Sequence, residues 1–124
     1  MKDALIRWGA IAGVAFGLSG PVLAHHSVAM FDLDKKMTVH GTVKEFQYTN
    51  PHSWLQLMVA GDDGKVVQWS FEAQGPSTLL RKGVKAKTFA PGDKMTIVAK
   101  PMKDGRPGGL LVSATTADGR AYTM

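Results

Sequence analysis

Cysteine is absent from the 124 residues of the chain, and this absence excludes several kinds of protein. Without thiols the chain forms no disulfide bond, no thiolate zinc site, no covalent haem attachment and no cysteine nucleophile. The excess of positive charge is also small, because the chain has 15 basic residues and 10 acidic ones. A net charge of +5 that is scattered along the chain predicts no nucleic-acid partner, since such partners need a concentrated basic surface.

The local patterns of common catalytic sites are missing as well. The sequence has no glycine-rich phosphate loop before a helix pattern and no nucleophile elbow around a serine. Most carboxylates fall in predicted turns, which leaves Glu45 and Glu72 as the two carboxylates on predicted strands. We therefore predict that the protein is not an enzyme.

The amino-terminal segment has the pattern of a cleavable export signal. Lys2 and Arg7 precede an apolar run over residues 8–18. After this run, Val22 and Ala24 fit the small-residue rule for cleavage by signal peptidase. The alternative is a retained membrane anchor, but a bilayer span needs about 20 apolar residues. We predict a signal peptide over residues 1–24, a periplasmic mature protein, and no integral membrane segment after cleavage.

The mature sequence alternates apolar and polar residues with the period of β-strands. Residues 25–36 have no sustained period and are interpreted as an N-terminal arm, whereas alternation begins at Met37 and predicts a strand bent near Glu45. One short helix is predicted from Pro76, which suits a first helical position, to Gly83, which suits the left-handed position after a helix. Further strands are predicted over residues 54–60, 65–71, 95–99, 110–116 and 120–124, and Asp118-Gly119 predicts a type I′ turn between the last two.

This order of elements predicts the fold class. Three strands, one helix and then further strands are the layout of an OB-fold, a five-stranded Greek-key barrel whose helix lies between the third and fourth strands. We therefore predict a mainly β domain over residues 37–124, an OB-fold-like barrel of five to six strands. An open β-sandwich is the alternative.

The histidines carry the most specific chemical prediction. His25 and His26 are the first two residues after the predicted cleavage site, and a terminal histidine offers its α-amine together with its own ring nitrogen. A further imidazole completes a site that suits Cu(II), and His52, in a predicted turn beside Trp54, is the candidate. Methionine thioethers supply soft ligands for Cu(I). We predict a periplasmic metal-binding or metal-handling protein, copper preferred, whose metal ligands are His25, His26 and His52.

Two other functions remain open at the level of sequence. Trp54, Tyr48 and Asn50 form a possible face for a small ligand or an oligosaccharide, since OB-fold faces use aromatic platforms. Trp69, by contrast, is expected in the core because its side of the predicted strand is apolar. Alternatively, the barrel is a non-catalytic structural or interaction module that docks on another protein of the cell envelope.

Several short blocks of the sequence are distinctive, and they include His-His-Ser, Gly-Thr-Val and Asn-Pro-His-Ser-Trp. The blocks lie at residues 24–27, 31–32, 41–46, 50–54, 69–70, 91–94 and 118–120. In these blocks the chain resembles a family of small exported bacterial proteins of unknown function, whose signal peptide ends before His-His-Ser. The resemblance implies a compact β-barrel and periplasmic export, and it implies no established activity.

Overall fold

A computed structural model describes residues 28–124 of the chain. The predicted signal peptide, together with His25 and His26, lies outside the described residues. In chain order the elements are a 3₁₀ helix at Val28–Met30, β1 at Met37–Gln47, β2 at Ser53–Ala60, β3 at Val66–Ala73, α1 at Pro76–Arg81, β4 at Lys94–Pro101, β5 at Gly108–Thr116 and β6 at Ala121–Thr123.

The strands close into a barrel with the OB-fold order. They are hydrogen-bonded in the order β3-β2-β1-β4-β5-β6, and a parallel pairing of β3 with β5 joins the ends of the five-stranded part. The sixth strand extends the sheet along β5. The predicted fold class is therefore confirmed, and the open sandwich is excluded because the closing pair is hydrogen-bonded.

The long first strand bends so that it can pair with two neighbours. Its first half pairs with β4 and its second half with β2, and the register shifts between Val43 and Glu45. A Cβ on Gly41 would lie 2.8 Å from the carbonyl oxygen of Met58, so only glycine allows the two backbones to approach this closely. The predicted bend is confirmed at this bulge.

The helix is fixed between β3 and β4 by its two ends and by one buried face. Pro76 begins it, and at its end the Val84 amide donates to the carbonyl of Leu79 at 2.9 Å while the Gly83 amide donates to Leu80 at 3.0 Å. Gly83 has a φ of 82°, which completes a Schellman motif. Leu79 and Val84 are both fully buried, so the cap also packs the helix against the barrel core.

Three details differ from the sequence-based expectations. Trp69 packs against the core and stacks on Phe71 but is only half-buried, because β3 is exposed along its first half. The Asp118-Gly119 turn, expected to be type I′, has a positive φ only at Gly119, so that turn type is wrong. Within the predicted arm, Phe31 is 2% exposed and forms a bridge with Met102, so the arm is anchored to the barrel.

Candidate functional site

The candidate site lies on the face of β2 and β3 that points away from the barrel core. Leu55 and Phe71 are fully buried on the inner face, which leaves the neighbouring Trp54 and Glu72 together on the outer one, as directly paired residues. The β1–β2 loop and the β4–β5 loop border this face. In OB-folds the same face and the same two loops bind ligands.

His52 and Glu72 form the central contact of this face. The Nδ1 atom of His52 lies 2.6 Å from Oε1 of Glu72. The Glu72 side chain is 4% exposed, whereas the His52 side chain is 39% exposed. The pair therefore has one buried end, the carboxylate, and one end that reaches solvent, the imidazole.

Backbone and hydroxyl hydrogen bonds shape the loop that carries His52. The Thr49 hydroxyl donates to the carbonyl of His52 at 2.9 Å, and the Ser53 amide donates to the carbonyl of Gln74 at 3.3 Å. The Asn50–Pro51 peptide bond is cis. These contacts fasten both ends of the loop, so His52 is presented from a constrained turn.

Gly75 lets the loop pack against the start of the helix. A Cβ at Gly75 would lie 2.6 Å from the carbonyl oxygen of Pro51, which is closer than real Cβ contacts. The backbone at Gly75 is extended, with a φ of −69°, so the requirement comes from space and not from backbone conformation. Any side chain here would force the Pro51 carbonyl, and with it the loop that carries His52, to shift relative to the start of the helix.

The electrostatics of the pair follow from burial. Removal from water raises the pKa of the Glu72 carboxyl above its ordinary value of 4.5, and the positive charge of protonated His52 acts in the opposite direction. A buried carboxylate needs a partner, and His52 supplies it. The carboxylate in turn favours the imidazole tautomer that carries its proton on Nδ1.

The contact with Glu72 determines which ring nitrogen of His52 is available to bind another group. With Nδ1 directed to a carboxylate, Nε2 is left as the atom with a free lone pair. Histidines that bind metals are usually held in this way, because the second partner fixes the ring orientation and raises the basicity of the ligand nitrogen. The arrangement leaves Nε2 as an oriented nitrogen that no side chain of the described residues occupies.

A cavity of about 430 Å³ lies beside Trp54 on the same outer face. Two methionines contribute to it from segments far apart in sequence, because the Phe31–Met102 bridge brings the arm against the β4–β5 loop. Its lining includes Met30, Phe31, Trp54, Ser70, Met102 and Arg106. The face thus combines an oriented imidazole, an indole and two thioethers.

The remaining candidate residues lie in different surroundings. The Tyr48 hydroxyl lies 2.9 Å from the carbonyl oxygen of Pro76 and 3.0 Å from that of Val84, so it fastens the helix to β1. Asn50 is exposed at the tip of the loop. His40 is exposed on β1, where its Nδ1 lies 3.0 Å from the Thr96 hydroxyl. His52 and Trp54 are therefore the two predicted site residues that the outer face brings near each other.

Residues 28–124 contain no group of three or more histidine, aspartate or glutamate side chains placed to hold a metal ion. Over the same residues, no helix has the length and apolar character needed to cross a membrane.

Glu72 is the site residue whose role the sequence analysis missed. The sequence pattern predicts a strand carboxylate here but not its partner. The signal lies in the register, since the connection over residues 61–65 aligns Ala60 with Val66 and therefore Trp54 with Glu72. His52 is then a diagonal neighbour of Glu72, within reach of a long side chain.

Comparison with known proteins identifies a family and no individual relative. No curated protein and no solved structure matches the chain. A family model matches residues 14–113, which agrees with the expectation of a family of unknown function. The chain belongs to a family of unknown function, DUF6152.

Proposed function

We propose that the protein is a metal-binding protein of the bacterial periplasm, with copper as its metal and Nε2 of His52 as a ligand. The observation that carries this proposal is the 2.6 Å contact between Nδ1 of His52 and the buried Oε1 of Glu72. A carboxylate that is 4% exposed costs free energy to desolvate, and the fold retains it where it orients one imidazole.

The asymmetry of the pair favours this role over that of a surface ion pair. In a surface ion pair both charged groups are solvated, and such a pair contributes roughly 0–1 kcal/mol to stability. Here the carboxylate is buried and only the imidazole is open to solvent. The pair therefore presents a single oriented nitrogen, which is the requirement for a ligand.

The other proposed ligands are His25 and His26. An α-amine and imidazole rings are nitrogen donors that suit Cu(II). The chain length keeps them close to this face, because His25 is five positions before Met30 and an extended chain spans at most about 3.6 Å per residue. Since Met30 lines the cavity beside Trp54, the proposed terminus lies within about 18 Å of Met30.

Titration of the exported, processed protein with Cu(II) tests the proposal. We expect one tight equivalent of Cu(II), an increase in melting temperature through binding to the folded state, and an affinity at least tenfold lower in His52→Ala. His40→Ala is the matched control, because His40 is an exposed histidine on a different face. Equal affinities of wild type and His52→Ala would contradict the proposal.

A further inference from the structure

We propose that the cavity beside Trp54 is a second, soft-metal site, in which the thioethers of Met30 and Met102 bind Cu(I). The inference rests on the proposed function, because it assigns the reduced form of the same metal to its own ligands. Met30 and Met102 both line the cavity of about 430 Å³. Neutral sulfur donors favour Cu(I) over harder cations.

The backbone holds these two methionines in place. The Lys103 amide donates to the carbonyl of Met30 at 2.9 Å, and the Asp32 amide donates to the carbonyl of Pro101 at 2.9 Å. Phe31, between them, is buried in the barrel. The arm and the β4–β5 loop are therefore joined on both sides of the cavity, and the two thioether side chains start from fixed backbone positions.

Core packing does not explain Met30. Met95 is 3% exposed within the core and Met37 packs against it, so filling of the interior accounts for both. Met30 is 41% exposed, although its neighbour Phe31 supplies the anchor of the arm. An exposed methionine that shares a cavity with a second methionine and a tryptophan is the pattern of a ligand.

The rest of the lining suits a monovalent soft cation. The indole of Trp54 offers a π face, to which a cation is attracted when it lies within about 6 Å of the ring centre. Arg106 also lines the cavity and its positive charge opposes a cation, but its Nε donates to the Asp104 carboxylate at 2.6 Å. The Asp104 charge offsets that of Arg106, which leaves a nearly neutral, largely apolar lining.

Silver(I), a redox-inert substitute for Cu(I), provides the first probe. In a Trp69→Phe background, Trp54 is the tryptophan that reports from the mature protein, and we expect Ag(I) to quench its fluorescence at one equivalent. The same protein is then tested anaerobically for Cu(I) binding, in competition with the chromophoric chelator bicinchoninate. Absence of quenching and of competition would overturn the inference.

Paired methionine variants give the decisive comparison. Met-to-Leu changes keep side-chain volume, so folding is preserved. We expect Met30→Leu/Met102→Leu to bind Ag(I) and Cu(I) at least tenfold more weakly than wild type. Met58→Leu is the matched control, because Met58 lies on the same strand as Trp54 but lines a different depression, beside His40 and Lys94. Equal Cu(I) affinity in the double variant would overturn the inference.

The His52 proposal and the thioether proposal can be contradicted independently of each other. The His52 site is measured with Cu(II), and the Met30/Met102 site is measured with Ag(I) and Cu(I). If His52→Ala leaves Cu(II) binding intact, the proposed function is contradicted, while loss of Ag(I) binding in the double methionine variant still supports the thioether site. If the double variant binds Ag(I) as wild type does, the thioether site is contradicted whatever the Cu(II) result.

Discussion

Nδ1 of His52 and Oε1 of Glu72 lie 2.6 Å apart, with the glutamate inside the protein and the histidine at its surface. The contact joins the β1–β2 loop to the end of β3, which are brought together by the pairing of β2 with β3. It leaves one nitrogen of the imidazole open to solvent on the outer face that carries Trp54.

Glu72→Gln tests the titration of the buried carboxyl. Because burial raises the pKa of Glu72 above 4.5, the folded state holds this proton more tightly than the unfolded chain does. The stabilisation that comes from this tighter proton binding is complete below pH 4.5 and is lost as the pH rises through the raised pKa of Glu72. We expect the free energy of unfolding of wild type, minus that of Glu72→Gln, to fall across this pH window in urea denaturation. Glu45→Gln, at an exposed position, is the control; a difference that grows with pH would contradict the assignment.

Gly75→Ala tests whether the packing of the loop positions His52. The added methyl group would meet the Pro51 carbonyl oxygen at 2.6 Å, so the loop must move. We expect a loss of stability of about 1–3 kcal/mol, as for overpacking, together with weaker Cu(II) binding although no ligand has changed. Gly61→Ala is the control, since its methyl group would meet only a flexible Asp63 side chain closely. Unchanged Cu(II) affinity in Gly75→Ala would show that the loop position is unimportant.

Tyr48→Phe separates a structural role from a ligand-binding role. The Tyr48 hydroxyl lies within hydrogen-bond distance of the carbonyl oxygens of Pro76 and Val84, so its removal should cost about 1–2 kcal/mol. Cu(II) and Ag(I) affinities should be unchanged, because the hydroxyl faces the helix. Tyr122→Phe is the comparison, with a smaller expected loss. If Tyr48→Phe altered metal binding but not stability, the structural role would be contradicted and Tyr48 would belong to the ligand-binding face.

A single glycine added before His25 tests the proposed terminal amine. The extension keeps both imidazoles but separates the α-amine from the ring of His25, and it moves His26 to the third position, where a different copper chelate forms. We therefore expect a changed Cu(II) spectrum rather than loss of copper. In the native protein, affinity should fall as the pH drops through the imidazole range near 6.5, because ligands must lose their protons. Identical spectra with and without the extension would exclude the amine.

Local signals were enough to predict most of the fold. Pro76 and Gly83 fix the helix ends through backbone conformation alone, and the placement of Leu55 and Leu57 on either side of Gln56 fixes the inner face of β2. These features depend on residues close together in sequence. The order of strands then follows from the OB-fold layout.

The site was less predictable, because its contacts cross between strands. Glu72 meets His52 only through the register of the β2–β3 hairpin. Met30 and Met102 line one cavity because of an isolated bridge between Phe31 and Met102, which has no periodic pattern around it. Alternation predicts a deeper position for Trp69 than the structure shows, because it gives the side of a strand and not how much of the barrel covers that side. His25 and His26 lie outside the described residues and stay a prediction.

Pulsed electron paramagnetic resonance of the Cu(II)-loaded protein tests the central proposal most directly. A copper ion bound through Nε2 of His52 couples weakly to the remote Nδ1 nitrogen, which Glu72 holds at 2.6 Å. With ¹⁵N-labelled histidine, we predict that His52→Ala lowers the number of coupled remote imidazole nitrogens by one. We predict that Glu72→Gln shifts the coupling of the same nitrogen. His40→Ala should change neither the number of coupled nitrogens nor this coupling. Spectra of His52→Ala that superimpose on those of wild type would contradict the account.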